Sequence, residues 1–202
     1  VTNYSSVVEA LSQGKVDMAW LGGLTYVQAK IRSDGNVEPI IQRVKDSLFT
    51  SVFITHVDNE IKILEDLKNK SFSFGSPSST SGHLMPRFFL EKQKINPEEY
   101  FSEIGYSGAH DATIFSVLSK KVSAGALNSL VWKKFVRQNP KKAKELSVFF
   151  ITPEYYDYNW TLRKDLGNEI KKNLVNAFLK LDYNNPDHKK ILDLQRAKKY
   201  IK

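Results

Sequence analysis

Val16-Asp17-Met18-Ala19-Trp20-Leu21 runs into Gly22-Gly23 and then Leu24-Thr25-Tyr26-Val27-Gln28-Ala29. The first stretch is short and mostly apolar, as a parallel strand covered on both faces would be, and a helix follows the glycines. Strand, glycine turn, helix is the connection of an α/β sheet. Upstream, Val7, Val8 and Leu11 lie at helical spacing and Gly14 stands near a C′ position, so a helix leads into the strand.

The same unit recurs along the chain. Ser47 to Thr55 is rich in β-branched and aromatic residues and predicts a long strand. Ile63 to Leu67 reads as a short helical stretch. Ser71-Phe72-Ser73-Phe74-Gly75 predicts a strand that enters Ser76-Pro77-Ser78-Ser79-Thr80-Ser81-Gly82, after which Leu84, Phe88, Phe89 and Leu90 mark a helix with Pro86 in its first turns. Ile104 to Gly108, a helix over about 109–118 and a buried strand over 122–127 complete a third unit. Its helix–turn–strand, Phe115 to Ser119 and then Val122 to Gly125, is similar to the opening one, as two like α/β lobes would produce. Ile170, Leu174, Phe178 and Leu181 form one apolar helical stripe, and Ile191, Leu192 and Leu194 begin a last helix after Pro186. The fold class is α/β, with parallel-type sheets flanked by helices.

Composition narrows the function. The chain has 202 residues, 41% hydrophobic and 26% charged, values of an ordinary globular protein. No apolar run approaches the ~18 residues of a membrane-spanning helix. The absence of cysteine excludes a disulfide scaffold, a zinc ribbon and a thiol nucleophile. A net charge of +8 suits an anionic partner, but the lysines are scattered on polar faces, which reads as a solvated surface and not a nucleic-acid footprint.

Three strand-to-helix turns carry small or hydroxyl residues: Leu21 to Thr25, Ser78 to Gly82, and Ser107-Gly108-Ala109-His110-Asp111. Helix N-termini expose unpaired N–H groups and partial positive charge, and hydroxyls add donors, so such turns suit a ligand at the ends of parallel strands. Ser79, Thr80 and Ser81 fit a site for a tetrahedral oxyanion and fit a serine-rich helix cap equally well. No Gly-Lys-Ser/Thr makes the loop a nucleotide P-loop. His110 is placed to donate a hydrogen bond to an anion. No Gly-x-Ser-x-Gly frames a nucleophile, and His56, His83, His110 and His188 show no metal-binding spacing, so neither cofactor nor metal is expected. Tyr155-Tyr156-Asp157-Tyr158-Asn159-Trp160 fits both a binding-cleft wall and a packed segment between lobes.

Asn3-Tyr4 with Val7 to Leu11, Gly14 to Gly22, Ser79 to Gly82 with Pro86, and Ser107-Gly108-x-His110-Asp111 together resemble the phosphonate-type substrate-binding proteins of ABC transporters, in order and spacing over nearly the whole chain. Trp20 to Thr25, Ser78 to Pro86 and Tyr155 to Trp160 look most like the subgroup assigned to selenate or phosphonate-like ligands. The resemblance implies a type II periplasmic-binding fold of two lobes closing on an oxyanion. Lobe one would comprise 1–57 and, after a crossover, 152–202, with lobe two over 58–151. A further strand and helix would precede Val1.

Carried over by position, Ser79, Thr80 and Ser81 would grip the anion, His110 would hydrogen-bond to it, and Asp157 would accept a proton from it. Phe49 and Leu21 stand where relatives carry tyrosines, and Leu130 where an aminoalkyl phosphonate would need an acid. The implied function is that of a non-enzymatic receptor, periplasmic or otherwise extracytoplasmic, with or without a lipid anchor ahead of Val1. Its ligand would be a phosphonate or phosphite, with selenate as the alternative, and its partner a membrane permease. The rival from another class is a phosphoryl- or acyl-transfer enzyme using His110 and Asp111.

Overall fold

The structure, a computed structural model, describes residues 3–202. In chain order the elements are α1 (Tyr4–Ser12), β1 (Met18–Leu21), α2 (Gly23–Arg32), β2 (Val37–Arg43), β3 (Ser51–His56), β4 (Ser71–Phe74), α3 (Met85–Lys92), α4 (Pro97–Tyr100) and β5 (Glu103–Tyr106). They continue with α5 (His110–Leu118), β6 (Ala124–Asn128), α6 (Ser129–Gln138), α7 (Pro140–Ala143), β7 (Leu146–Ile151), β8 (Asn159–Arg163), α8 (Asn168–Leu179), α9 (Pro186–Leu194) and β9 (Tyr200–Ile201). The chain forms two compact units. One holds the residues up to Phe49 with Glu154–Lys202, and the other is Thr50–Pro153.

The first unit is built on a sheet of order β1-β8-β2-β9. β8 is antiparallel to both β1 and β2, with Trp20 opposite Trp160 and Val37 opposite Arg163. β1 and β2 therefore run the same way, joined by α2 as a parallel βαβ pair would be, but a strand from the far end of the chain lies between them. Local sequence carries the crossover and not the inserted partner, because pairing is a long-range choice. Val8 and Leu11 of α1, Ala19 and Leu21 of β1, Ala29 of α2 and Val37 of β2 form one core. Ile41, Leu192, Ala197 and Tyr200 form another, with Phe178 and Leu181 of the predicted stripe packed on it.

The second unit has the order β5-β4-β6-β3-β7. β4 is parallel to β5 and β6, whereas β3 is antiparallel to both β6 and β7. The two units thus share a device: the first strand after the chain crosses into a unit, β3 in one and β8 in the other, inserts antiparallel between two strands of one direction, while β9 pairs antiparallel to β2 at the edge of the first unit's sheet. All six residues of β3 are buried. Period-two alternation sends Phe53 to the face packed with Phe72, Leu90 and Phe101, and Val52 and Ile54 to the face packed with Ile114, Val117 and Phe135.

Two expected boundaries need correction. The strand expected over Ser47–Thr55 begins only at Ser51, because Val44–Asp46 closes a 3-10 turn in which Arg43 grips both Asp46 oxygens at 2.6 and 2.7 Å. The boundary expected after Val57 falls after Phe49, since the residues of β3 pair with β6 and β7 of the second unit.

The likeness of the helix–turn–strand segments extends to the backbone. α1 and α5 both end in a Schellman motif, with Lys15 N–H to Ala10 C=O at 2.8 Å and Lys121 N–H to Ser116 C=O at 3.0 Å. The left-handed residue is Gly14 (φ 68°) in one and Lys120 (φ 59°) in the other. α3 ends the same way on Lys94, at φ 59°, with Ile95 N–H on Leu90 C=O at 3.0 Å. A side chain in that conformation costs about 1 kcal/mol relative to glycine. Lys94→Gly is therefore expected to stabilise the protein by ~0.5–1 kcal/mol, read as a higher urea midpoint at unchanged slope; a lower midpoint would refute the cap assignment.

Candidate functional site

In the second unit the serine-rich turn leads from β4 into α3. Ser79 caps a π-helical turn over Thr80–Leu84 that continues as α3, with Pro86 in the first turn of the α-helix. The Ser79 hydroxyl accepts the Gly82 N–H at 2.9 Å, which leaves its own hydrogen as a donor. Gly75 N–H donates to Gly82 C=O at 2.7 Å, and the Ser51 hydroxyl donates to Ser81 C=O at 2.7 Å. Ser79, Thr80 and Ser81 are all buried, so the turn is an internal, braced feature and not a surface cap alone.

His110 opens α5. Its Nδ1 accepts the backbone N–H of Asn128 at 3.4 Å, and its buried Nε2 has no partner among the described residues. Burial pushes its pKa down to about 4 against the weaker opposing pull of Asp111. The ring is thus neutral at physiological pH, and an acceptor role for Nδ1 puts the proton on Nε2. His110 and the serine turn meet at Gly82: a Cβ there would lie 2.9 Å from His110 Cε1 and 3.0 Å from Ser79 Oγ. A second close approach seats α5 on the sheet, where a Cβ on Gly125 would lie 2.7 Å from Thr113 Cγ2.

The result is a buried set of neutral donors, which suits an oxyanion held without a cation. Asp111 is no partner for the histidine in the manner of a catalytic dyad. Its carboxylate accepts the Ala112 N–H at 3.0 Å, while His110 Nδ1 is turned to Asn128. Ser107 shares a 2.7 Å hydrogen bond with Thr113 and ties β5 to α5. His83 donates from Nδ1 to Pro77 C=O at 2.8 Å and accepts from Tyr106 and Arg87 at Nε2, so it braces the turn.

In the first unit Asp157 is buried, and its Oδ1 accepts the Gly23 N–H at 3.1 Å at the start of α2. Its own N–H donates to Asp46 C=O at 3.0 Å. The Leu21 to Thr25 turn is therefore a helix N-terminus facing a carboxylate from residues far along the chain. Phe49 and Tyr155 exchange backbone hydrogen bonds at 2.9 Å, and the Phe49 ring meets Tyr158 edge-on at 5.5 Å. Tyr158 stacks on Trp20 at 5.6 Å, and the Arg43 guanidinium covers Trp20 at 4.5 Å.

The aromatic segment alternates: Tyr155 and Asp157 are buried, whereas Tyr156 is 71% exposed. Leu21 is corrected. Its side chain is 1% exposed and packs in the core with Val8 and Val37, because alternation along β1 turns it inward. Ser51, Asn128, Arg43 and Asp46 were not anticipated. Only Asn128 left a local signal, as the Asn-Ser that ends a strand and caps α6.

Among the described residues no cluster of His, Cys, Asp and Glu could hold a metal, and no helix is long and apolar enough to cross a membrane.

The sequence profile of a family described as "ABC transporter, phosphonate, periplasmic substrate-binding protein" matches residues 1–202. The chain is 41% identical over 213 residues to a protein of Prochlorococcus marinus (strain MIT 9301) named "Probable ABC transporter phosphite binding protein PhnD1", covering all of this chain and 71% of that protein. It is 27% identical to the phosphonates-binding periplasmic protein of Escherichia coli K12, covering 95% of this chain and 57% of the relative. The crystal structure of the Prochlorococcus protein in complex with methylphosphonate superposes with a TM-score of 0.90 at 40% identity, over 100% of this chain and 78% of that one. With the family profile matched over the whole chain, 41% identity to one relative and a fold superposing at a TM-score of 0.90, the chain belongs to the phosphonate-type periplasmic substrate-binding proteins of ABC transporters.

Proposed function

We propose that this chain is an extracytoplasmic receptor that captures a small protonated phosphorus oxyanion, a phosphonate or phosphite, for a membrane permease. The observation that carries this reading is the neutral His110, its buried Nε2–H without a partner among the described residues and its ring against the buried turn of Ser79 to Gly82. In this reading the hydroxyls of Ser79, Thr80 and Ser81 and the His110 Nε2–H bind the anionic oxygens. Asp157 accepts the P–OH of the ligand, and Phe49 borders its substituent. A buried carboxylate next to a fully deprotonated anion is costly unless a proton lies between them, so Asp157 would select against sulfate and selenate. The relatives support the ligand class: one is named for phosphite, and its crystal structure holds methylphosphonate. Leu130, where a carboxylate would be needed for an amine, favours ligands without an aminoalkyl arm.

Calorimetric titration with phosphite, methylphosphonate, 2-aminoethylphosphonate, phosphate, sulfate and selenate tests the proposal. Phosphite or methylphosphonate should bind most tightly. Asp157→Asn should weaken that binding at least ~10-fold, the loss of one hydrogen bond to a charged group, and narrow the gap to sulfate. Unchanged or tighter phosphite binding by Asp157→Asn would remove the proton-acceptor role, and selenate or sulfate as the preferred ligand would overturn the ligand class.

A further inference from the structure

The first unit carries a cavity of about 520 Å3 that involves none of the residues assigned to ligand capture. Its floor is apolar, with Val44, Leu48 and Ala197 beside the Tyr183 ring, and the Leu48 side chain there is left 59% exposed. Its rim carries Lys45, Arg196, Lys198 and Lys199, and Arg43 and Asp193 line it as well. Nearby acids are already committed. Asp46 is held by both branches of the Arg43 guanidinium, and Asp193 accepts from the Tyr183 hydroxyl and from Lys189, each at 2.8 Å. Among the described residues none of the rim cations makes an ion pair. Lys45 shows the consequence: partial burial, then the charges of Arg43 and Arg196, push its pKa down despite the opposing pull of Asp46.

Cations gathered over an exposed apolar floor repel one another, and an anion relieves that repulsion. The volume is that of a small-molecule site. An anion that is only hydrated would leave the apolar floor wet, and a neutral apolar molecule would leave the rim unneutralised. Both features are met by an anion joined to an apolar body, and phosphate offers enough oxygens for several ammonium and guanidinium groups at once.

We propose that this cavity is a second anion site, which takes a phosphate ester with its apolar body on Val44, Leu48 and Ala197 and its phosphate among Lys45, Arg196, Lys198 and Lys199. A free alkyl or aryl phosphate and the headgroup of an anionic phospholipid share this chemistry. The assignment does not depend on the transport reading.

The test uses hexyl phosphate by calorimetry, on the unaltered chain, on Ser79→Ala/His110→Ala and on Lys45→Gln/Arg196→Gln. A parallel arm measures co-sedimentation with vesicles of phosphatidylglycerol against phosphatidylcholine. Hexyl phosphate should bind the Ser79→Ala/His110→Ala protein and weaken at least ~10-fold in Lys45→Gln/Arg196→Gln, whose methylphosphonate affinity stays unchanged. Recruitment to phosphatidylglycerol alone, lost with Lys45 and Arg196, would support the site and identify the lipid as its source. Three results would each overturn the proposal. One is loss of hexyl phosphate binding with Ser79 and His110 in the absence of such recruitment. Another is indifference of both arms to Lys45 and Arg196. The third is inorganic phosphate binding the Ser79→Ala/His110→Ala protein as tightly as hexyl phosphate. If the first pair of glutamines lowers the melting temperature, Lys198→Gln/Lys199→Gln, on exposed side chains, asks the same question.

Discussion

His110→Ala is expected to lower methylphosphonate affinity roughly 10- to 150-fold, the ~1.5–3 kcal/mol of a hydrogen bond to a charged acceptor. An unchanged dissociation constant by calorimetry would remove the histidine from the site. A second effect of the same ring is independent of any ligand. In the unfolded chain the imidazole takes its proton near 6.5, and in the folded protein only near 4. Between those values the unfolded state binds more protons, so stability falls as the pH drops through that window. The loss approaches ~3 kcal/mol at its acid end, from 1.36 kcal/mol for each pKa unit. Denaturant unfolding at pH 7.5, 5.5 and 4.5 should show this slope in the unaltered protein and a shallower one in His110→Gln. Equal slopes would mean that the ring is not held neutral by burial.

Gly82→Ala is expected to act on both halves of the cradle at once. Its Cβ would lie 2.9 Å from His110 Cε1 and 3.0 Å from Ser79 Oγ, so the ring or the hydroxyl must move. Overpacking of this kind costs ~1–3 kcal/mol in stability. Because two of the proposed ligand-binding groups would shift together, methylphosphonate affinity should fall further than in Ser79→Ala. Gly105→Ala is the control, since a Cβ there meets nothing within 4 Å. If Gly82→Ala melts and binds like Gly105→Ala, the contact between the turn and the histidine is wrong.

Much of the fold was legible because its signals are local. Glycine at a C′ position, proline in a first turn and apolar residues at helical spacing act within a turn or two. They located α1, β1, α2, β4, α3, α5 and β6 to within a few residues. The likeness between the helix–turn–strand segments around Gly14 and Lys120 held down to the left-handed residue that ends each helix. The candidate site was legible in part for the same reason. A hydroxyl-rich turn between strand and helix is written in consecutive residues, and so is a histidine at a helix start.

What escaped depends on distant partners. The β propensity of Leu48 and Phe49 suggested strand, but Arg43 and Asp46 close a turn ahead of them and Phe49 pairs with Tyr155. The face of Leu21 follows from the placement of β1 against α1 and β2, which spacing alone does not reveal.

By itself, then, the sequence determined the α/β class, the strand-to-helix turns and the hydroxyl and imidazole donors, since each rests on neighbours within a few residues. Only the tertiary structure decided that β8 and β3 insert against the direction of their neighbours. It alone placed the Asn128 N–H on His110 Nδ1, and so the ring's proton on Nε2, and set Asp157 on the N-terminus of α2. Those outcomes turn on pairings and burial across the chain, where many arrangements satisfy the local pattern and packing selects one.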